Sequence, residues 1–263
     1  MTIQNVTASA VDVFDQTSWT TIDTMTITPG AGTFLAVFTG ETTQNTSPSS
    51  NELHVAIFVD GVEQTHTFRA IYGDSSLPSN QQPVATSCLV TPTAGQVVDV
   101  RYKQTAGNAM FITFRELTLL PAEQTTYQDS ATGDVTINSA TWATLGSMTR
   151  TPASGDYLVV FTASEETPSD DVAGFRLSVG GTPVPHTVRR VECELSVQDS
   201  PYDVMIAASI SPNGSQVVEI EWQKNAGTGP VTCHQRSMTL IEVNSGDIFQ
   251  ATGTADDTDS TTR

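Results

Sequence analysis

The sequence predicts an all-β protein built from two tandem antiparallel β-sandwich domains that arose by internal duplication. Composition and an internal repeat carry this prediction. Threonine, a β-branched residue that favours strands over helices, occurs 41 times among the 263 residues. The 18 glycines and 13 prolines supply turns between strands. No segment shows the apolar period of a long helix.

The internal repeat covers most of the chain. Residues 18–43 recur in residues 141–167 at an offset of 123, with matching tryptophan, proline, glycine and aromatic positions. Residues 54–71 recur in residues 174–191 at an offset of 120. The offset changes between predicted strands, where loops tolerate insertions. Such self-similarity indicates two copies of one structural unit.

These matches set the expected domain boundaries. Residues 1–123 form the first domain and residues 124–245 the second, with residues 121–134 as the expected linker. Residues 246–263 form an acidic C-terminal tail that resembles the start of a third repeat. Two interpretations of this tail remain open: a disordered, truncated repeat, or a strand donated to a neighbouring subunit.

Alternating apolar and polar residues predict half-buried antiparallel strands. Val98, Val100 and Tyr102 share one face, and the residues between them are charged. Asp60-Gly61 and Gly180-Gly181 follow short apolar runs and suit the positive φ of two-residue hairpin turns. Each domain then holds roughly eight short strands, which is typical of a sandwich or a jelly roll.

The aromatic-rich strand of each repeat is apolar on both faces. A two-layer sandwich covers only one face of such a strand. The second cover is a loop, the other repeat or another subunit, and the sequence leaves these three open. The residues on this second face are candidate interface residues: Leu35, Val37, Leu158 and Val160.

Charge and composition argue against several classes. A net charge of −18 with two lysines is unfavourable for nucleic-acid binding. No apolar run approaches the roughly 20 residues of a membrane span, and the N-terminal segment lacks the pattern of a secretory signal. The three cysteines, Cys88, Cys193 and Cys233, share no metal-binding spacing and are predicted to be free thiols.

Several residues invite a chemical interpretation, and each has a plainer one. His66 and His186 lie in repeated His-Thr motifs and are interpreted as hydrogen-bonded structural histidines rather than pH-sensitive or ligand-binding ones. Trp19 and Trp142 recur at one strand position, which favours packing over stacking on sugars. The acidic segment 164–172 is interpreted as a solvated loop. We therefore predict no catalytic residue, no cofactor and no metal site.

Four arginines are candidates for contacts. Arg115 and Arg236 lie in the closing strands, where they either pair with carboxylates at a subunit interface or extend their charged ends to solvent. Arg189 and Arg190 form an additional basic pair in the second repeat and are the candidate docking residues.

The motifs of each repeat resemble the superfamily of tumour necrosis factor and the complement globular heads. Each repeat pairs an aromatic-rich strand (32–38 and 155–161) with a closing Leu-Thr-Leu or Met-Thr-Leu strand (117–119 and 238–240). The resemblance is stronger to phage-encoded versions in head decoration proteins, head fibres and tail fibres. It implies a jelly roll that forms trimers through the flat faces of its sandwiches and has no catalytic residues.

These observations predict a non-enzymatic virion structural protein of a tailed phage or related virus. It would decorate or cement the capsid or project from it, after assembly in the host cytoplasm. The expected partners are further copies, as a homotrimer, and the major capsid protein or another virion protein, with no nucleic acid and no membrane. A receptor- or carbohydrate-binding fibre tip is the alternative. A cupin-like metal protein is less favoured, because the four histidines are scattered singly.

Overall fold

The computed structural model describes residues 2–44, 52–72, 81–105, 110–166, 172–192, 201–227 and 229–244. Within these ranges the chain is built of strands, and the helical segments are two short 3₁₀ turns. No helix there is long and apolar enough to cross a membrane.

Ten strands form the first half of the structure, called unit 1. Their bounds are β1 (Gln4–Ala8), β2 (Asp12–Phe14), β3 (Thr20–Ile27), β4 (Phe34–Gln44), β5 (Glu52–Val59), β6 (Val62–Glu63), β7 (Arg69–Tyr72), β8 (Gln81–Val90), β9 (Val98–Gln104) and β10 (Met110–Pro121). A 3₁₀ turn, η1 (Thr65–Thr67), lies between β6 and β7.

Ten further strands form unit 2 in the same order. Their bounds are β11 (Thr126–Ala131), β12 (Val135–Ile137), β13 (Ala143–Arg150), β14 (Asp156–Glu166), β15 (Val172–Val179), β16 (Thr182–Pro183), β17 (Arg189–Glu192), β18 (Pro201–Ile210), β19 (Val218–Ala226) and β20 (Val231–Val243). The matching 3₁₀ turn, η2 (Pro185–Thr187), lies between β16 and β17.

Each unit is a sandwich of two antiparallel sheets with one shared strand order. In unit 1, sheet A runs β1–β10–β4–β8 with β2 also on β10, and sheet B runs β3–β9–β5–β6 with β7 also on β5. Unit 2 repeats this order as sheet C (β11–β20–β14–β18, with β12 on β20) and sheet D (β13–β19–β15–β16, with β17 on β15). The closing strand thus lies between the first and fourth strands, as in a jelly roll. The predicted all-β fold of two tandem sandwiches is confirmed.

Each unit encloses its own apolar core between its two sheets. In unit 1 the Phe14 and Tyr102 rings stack with their centroids 4.0 Å apart, and Met25, Phe34 and Phe38 are completely buried. Tyr157, Phe161 and Phe175 belong to the corresponding core of unit 2. Burial of each such side chain contributes about 1.5–3 kcal/mol.

The segment expected to link the two domains is mostly strand. β10 runs to Pro121, and β11 begins at Thr126, which pairs with Ile241 of the closing strand β20. Residues 122–125 are therefore the connection, and the prediction of a linker over 121–134 is wrong. The polar sequence of β11 gave no strand signal, because an edge strand on a half-buried face needs few apolar residues. The predicted tail, residues 246–263, lies outside the described residues.

The repeated His-Thr motif is explained by its threonine. The Thr67 hydroxyl accepts a hydrogen bond from the Ile57 backbone N–H at 2.9 Å and donates one to the Gln64 carbonyl at 2.7 Å. Thr187 repeats both bonds in unit 2, with Leu177 N at 3.0 Å and Val184 O at 2.6 Å. Both threonines are completely buried. The hydroxyl thus fastens the 3₁₀ turn to the neighbouring strand.

Replacing this hydroxyl by a methyl group leaves one buried backbone N–H in each unit without a partner, that of Ile57 or of Leu177. We expect Thr67→Val to lower the free energy of unfolding by about 2 kcal/mol, within the usual cost of an unsatisfied buried donor. Thr187→Val should lower it by a similar amount. Urea unfolding followed by circular dichroism measures both. Thr65→Val, at an exposed position of the same turn, is the control, and an equal loss there would contradict this account.

Candidate assembly interface

The outer face of sheet C is covered by unit 1. A separate apolar cluster contains the buried side chains of Leu35 and Ala122 from unit 1 and of Val160 and Ile241 from unit 2. Partly buried residues pack against it: Val37, Leu89, Leu120, Leu158, Met205 and Val243. The four residues proposed from the doubly apolar strands thus meet in one cluster. The sequence left open whether a loop, the other repeat or another subunit covers the second apolar face of these strands. In the structure the other unit covers it.

Polar side chains of unit 2 accept hydrogen bonds from backbone N–H groups at the open edge of sheet A. β8 is the last strand of that sheet, and its Ala85 N–H donates to the Asp203 carboxylate at 3.0 Å. The next outward N–H groups, those of Ser87 and Leu89, donate to Thr162 Oγ1 at 3.2 Å and to the Gln128 side-chain oxygen. An unpaired strand edge is a general liability for association. Three strands of sheet C here supply one acceptor each. We call this contact the unit junction.

Arg69 is the most deeply enclosed charge of the unit junction. Its side chain is completely buried, and Nε donates to the Ala85 carbonyl at 3.0 Å. Nη1 donates to Phe68 O at 2.7 Å and reaches Gln235 O in unit 2 at 3.5 Å. Its Nε lies 3.5 Å from a carboxylate oxygen of Asp203. One guanidinium therefore contacts both units.

Burial dominates the protonation of this ion pair. It raises the pKa of Asp203 to about 7, although Arg69 and the Ala85 N–H both favour the ionised carboxylate. Burial also lowers the pKa of Arg69, but guanidinium remains charged at any physiological pH. Each charge of the pair also has hydrogen-bond partners of its own. Removing one charge leaves the other buried without an opposite charge nearby.

His66 lies at the rim of the same contact. Its Nε2 is 3.0 Å from Nε2 of Gln128, whose side-chain oxygen accepts from β8. Burial, and secondarily the charge of Arg69, lowers the pKa of His66 to about 4. The neutral ring is therefore the form present at pH 7, where it can accept a hydrogen bond from the amide. His186 lies at the equivalent position within η2 of unit 2.

The structure places Arg115 and Arg236 inside their own units. Arg115 donates to the carbonyls of Ala10 at 2.6 Å and Asp23 at 3.1 Å. Arg236 makes the equivalent bonds to Gly133 at 2.7 Å and Gly146 at 3.0 Å. Both side chains are almost completely buried. Neither charged end extends to solvent, because each ties the loops of its own sandwich to the bulge in the closing strand. Arg189 and Arg190 are exposed at the start of β17.

The prediction of a solvated acidic segment is wrong for Glu165. β14 extends through Glu166, and Glu165 pairs with Cys233 in β20 with its side chain turned inward. Both carboxyl oxygens are buried and lack a hydrogen-bond partner. Burial, and secondarily Glu166, raises the pKa of Glu165 well above its ordinary value. Asp170 and Asp171 of the same segment lie outside the described residues.

The repeated tryptophans are packed beneath cations. The Lys103 ammonium lies 4.7 Å from the centre of the Trp19 ring, and the Arg176 guanidinium lies 4.2 Å from that of Trp142. Trp19 also makes an edge contact with Phe58 at 5.2 Å. The packing interpretation of these two side chains agrees with this geometry.

The nucleophilic and metal-ligating side chains of the described residues are dispersed. Cys88 and Cys233 are free, as expected, and burial raises the pKa of both thiols to about 12. Cys193 lies outside the described residues. His234 bridges Asp134 at 2.9 Å and Glu166 at 3.0 Å. The described ranges hold no group of three side chains placed to bind a metal ion.

A cleft of about 350 Å³ opens where the two units meet. Apolar residues of both units line it, among them Leu120, Leu158 and Ile241, together with Glu123 and Glu242. It borders the apolar cluster of the unit junction and belongs to the same contact.

Sequence reasoning found the apolar half of this interface and missed its polar half. Arg69 lies within the repeated segment 54–71, and neither it nor the acceptors Gln128, Thr162 and Asp203 have a local sequence signal for this contact. One signal was available: Asp203 in unit 2 stands where unit 1 has Pro83. A substitution of this kind between two otherwise matching strands indicates that the two positions have different neighbours in the structure.

Comparisons with known proteins give structural likeness alone. No family model and no curated protein matches the chain. Among solved structures it is similar to the T13 particle of infectious bursal disease virus (9% identity, 92% of this chain and 40% of that chain, TM-score 0.33). The VP2 subviral particle of that virus matches at 10% identity (92% and 72%, TM-score 0.33). A tandem CBM22 domain of Paenibacillus barcinonensis Xyn10C matches at 9% (90% and 92%, TM-score 0.25).

The chain thus spans less than half the length of the first of these structures. Identities near one tenth and TM-scores this low assign it to no family.

Substitutions of Arg69 and of its repeat counterpart Arg189 should affect stability differently, because only Arg69 is buried in the unit junction. We expect Arg69→Met to lower the free energy of unfolding by about 3–5 kcal/mol, because Asp203 stays buried without its partner. Adding Asp203→Leu should recover part of this loss. Arg189→Met, the exposed counterpart in unit 2, should change it by less than about 0.5 kcal/mol. Urea unfolding of dilute protein measures all three, and equal losses at the two arginines would contradict the assignment.

Glu165 makes the stability of the protein depend on pH. The native state keeps its proton when the unfolded chain, with a pKa near 4.5, has released it. Stability is therefore lost as pH rises above that value, by about 1.4 kcal/mol per pH unit while the difference persists. We expect Glu165→Gln to match the wild type near pH 4.5 and to be increasingly more stable at higher pH. Glu63→Gln, at a partly exposed carboxylate, is the control, and a pH-independent difference would refute this account.

Proposed function

We propose that this protein is a non-enzymatic structural protein of a virion, from a tailed phage or a related virus. It decorates or cements the capsid, or forms a projection from it, after assembly in the host cytoplasm. Its partners are further copies of itself, with a homotrimer as the expected form, and the major capsid protein or another virion protein. It acts through surface contacts, without catalytic residues, cofactor, nucleic acid or membrane.

The unit junction is the observation that carries this proposal. The face of one sandwich satisfies the open edge of the next through Gln128, Thr162 and Asp203. A face-to-edge contact of this kind joins copies of one module in series, which is what assembly on a lattice or in a projection requires. The net charge of −18 supports it further, because copies repel one another except where specific contacts prevail.

The fibre-tip alternative depends most on an aromatic platform for sugars. Lys103 and Arg176 lie over the rings of Trp19 and Trp142, so these rings already have a partner on one face. This contact favours the structural role over carbohydrate binding. The alternative nevertheless makes a distinct prediction, and one experiment can test both.

Purified particles of the virus that encodes the chain test the proposal. We expect the full-length protein at a fixed ratio to the major capsid protein by quantitative mass spectrometry. Particles assembled without it should bind the added protein to saturation at that same ratio. A glycan array probed with the same preparation should give no signal above a control protein. Trace abundance in the particles, together with binding to a defined glycan, would overturn the proposal in favour of the fibre tip.

A further inference from the structure

The end of sheet A that is farthest from the unit junction carries exposed apolar side chains. Phe114 is 66% exposed, Val11 59% and Val13 47%. We propose that these three residues and Phe111, together called the distal patch, dock a second protein that presents an apolar centre flanked by lysine or arginine side chains. This deepens the proposed function and rests on it for the identification of that protein as a virion protein other than this chain.

The distal patch is separate from the unit junction. In β10, Leu120 pairs with Leu35 at the junction end of sheet A, whereas Phe111 pairs with Val13 of β2 at the other end. These two ends of β10 lie roughly 25 Å apart, given the rise of an extended strand. Phe14, next to Val13, is completely buried in the core, so Val13 and its partner Phe111 share the outer face. The patch therefore stays accessible while the unit junction is formed.

The sandwich itself does not require apolar residues at these positions. The two units share one register here, because Phe111 pairs with Val13 just as Thr232 pairs with Thr136. In the places of Val11, Val13, Phe111 and Phe114, unit 2 has only polar residues: Asp134, Thr136, Thr232 and Gln235. Since the same sandwich folds with polar side chains there, a contact outside the chain accounts for the apolar ones.

Phe114 has a backbone conformation that is rare for a bulky side chain. It lies in the bulge of β10 with a φ of +42°, and its counterpart Gln235 has no positive φ. Backbone strain of this kind is concentrated at binding surfaces. A hollow of about 360 Å³ lies beside the exposed ring, lined also by Thr7, Thr39 and Glu116. The ring and the hollow together can receive an apolar side chain of the partner.

The surroundings of the distal patch are negatively charged. Glu41 pairs with Thr113 on the outer face, Glu116 lines the hollow, and both carboxylates are partly exposed. The four basic residues of unit 1 are engaged elsewhere, in the unit junction, in the loops of the sandwich or on sheet B: Arg69, Arg115, Arg101 and Lys103. A second copy, with the same net charge of −18, would bring like charges together. Complementary charge therefore favours a different protein with a basic rim.

Particles assembled without the protein are the probe that tests the distal patch. We expect Phe114→Gln with Val13→Thr to raise the dissociation constant of the full-length protein for these particles at least about tenfold. Unit 2 has these same residues at the matched positions, so the sandwich accommodates them. Glu41→Gln with Glu116→Gln should raise the constant about threefold and make it less dependent on salt, because two rim charges are lost.

Two exposed valines outside the patch provide the matched control. Val62→Thr with Val217→Thr, at side chains that are 66% and 37% exposed, should bind the particles as the wild type does. Circular dichroism and urea unfolding confirm that every variant is folded. Equal binding by the wild type and the patch variants would overturn this inference alone. Absence of wild-type binding would overturn the proposed function together with it.

A photocrosslinker at position 114 identifies what the patch contacts. With p-benzoylphenylalanine in place of Phe114, illumination of loaded particles should join the chain to a different virion protein, at a segment that contains lysine or arginine. A product that joins two copies of this chain would overturn the proposal in favour of self-association. Loss of particle binding by Arg189→Ala with Arg190→Ala, while the patch variants bind normally, would overturn it in favour of docking through unit 2.

Discussion

The backbone N–H groups along β8 set the central constraint of this structure. A jelly roll has edges, and buried polar backbone groups must find partners. In unit 1 those partners are side chains on the outer face of sheet C: a carboxylate, a hydroxyl and an amide from three different strands. These bonds fix the relative position of the two units, because three acceptors on three strands must all reach one strand.

Arg69 and the apolar cluster lie on opposite sides of this row of N–H groups. The guanidinium contacts the Ala85 carbonyl on β8 and approaches Asp203 and Gln235 on unit 2. Leu35 and Val160 are removed from water at the other side. The apolar contacts contribute area, and the polar contacts determine the register. A buried ion pair contributes specificity more readily than net stability, which suits a contact that selects one edge for one face.

Duplication explains why the two units differ where they do. Arg69 is buried and Arg189 exposed although their local hydrogen bonds are the same. Asp203 stands in unit 2 and Pro83 in unit 1, at positions that now face different surroundings. The core residues stay alike, because each sandwich must enclose its own core.

The all-β class, the two repeated units and the second apolar face of the aromatic-rich strands can all be predicted from the sequence. These are properties of local alternation, composition and self-similarity, and each is visible without knowing what lies nearby. Strand β11 is not predicted from the sequence, because its polar residues show no alternation of apolar and polar positions. Glu165 was expected in solvent, since only the length of β14 and its pairing with Cys233 turn it inward.

Which face packs against which edge depends on the tertiary structure. Two equivalent motifs, around Arg69 and Arg189, have different environments because one adjoins sheet C and the other does not. The acceptors of the unit junction are 39 to 118 residues away from their donors in the chain. No local pattern records contacts at that separation, because they depend on the packing of two complete sandwiches.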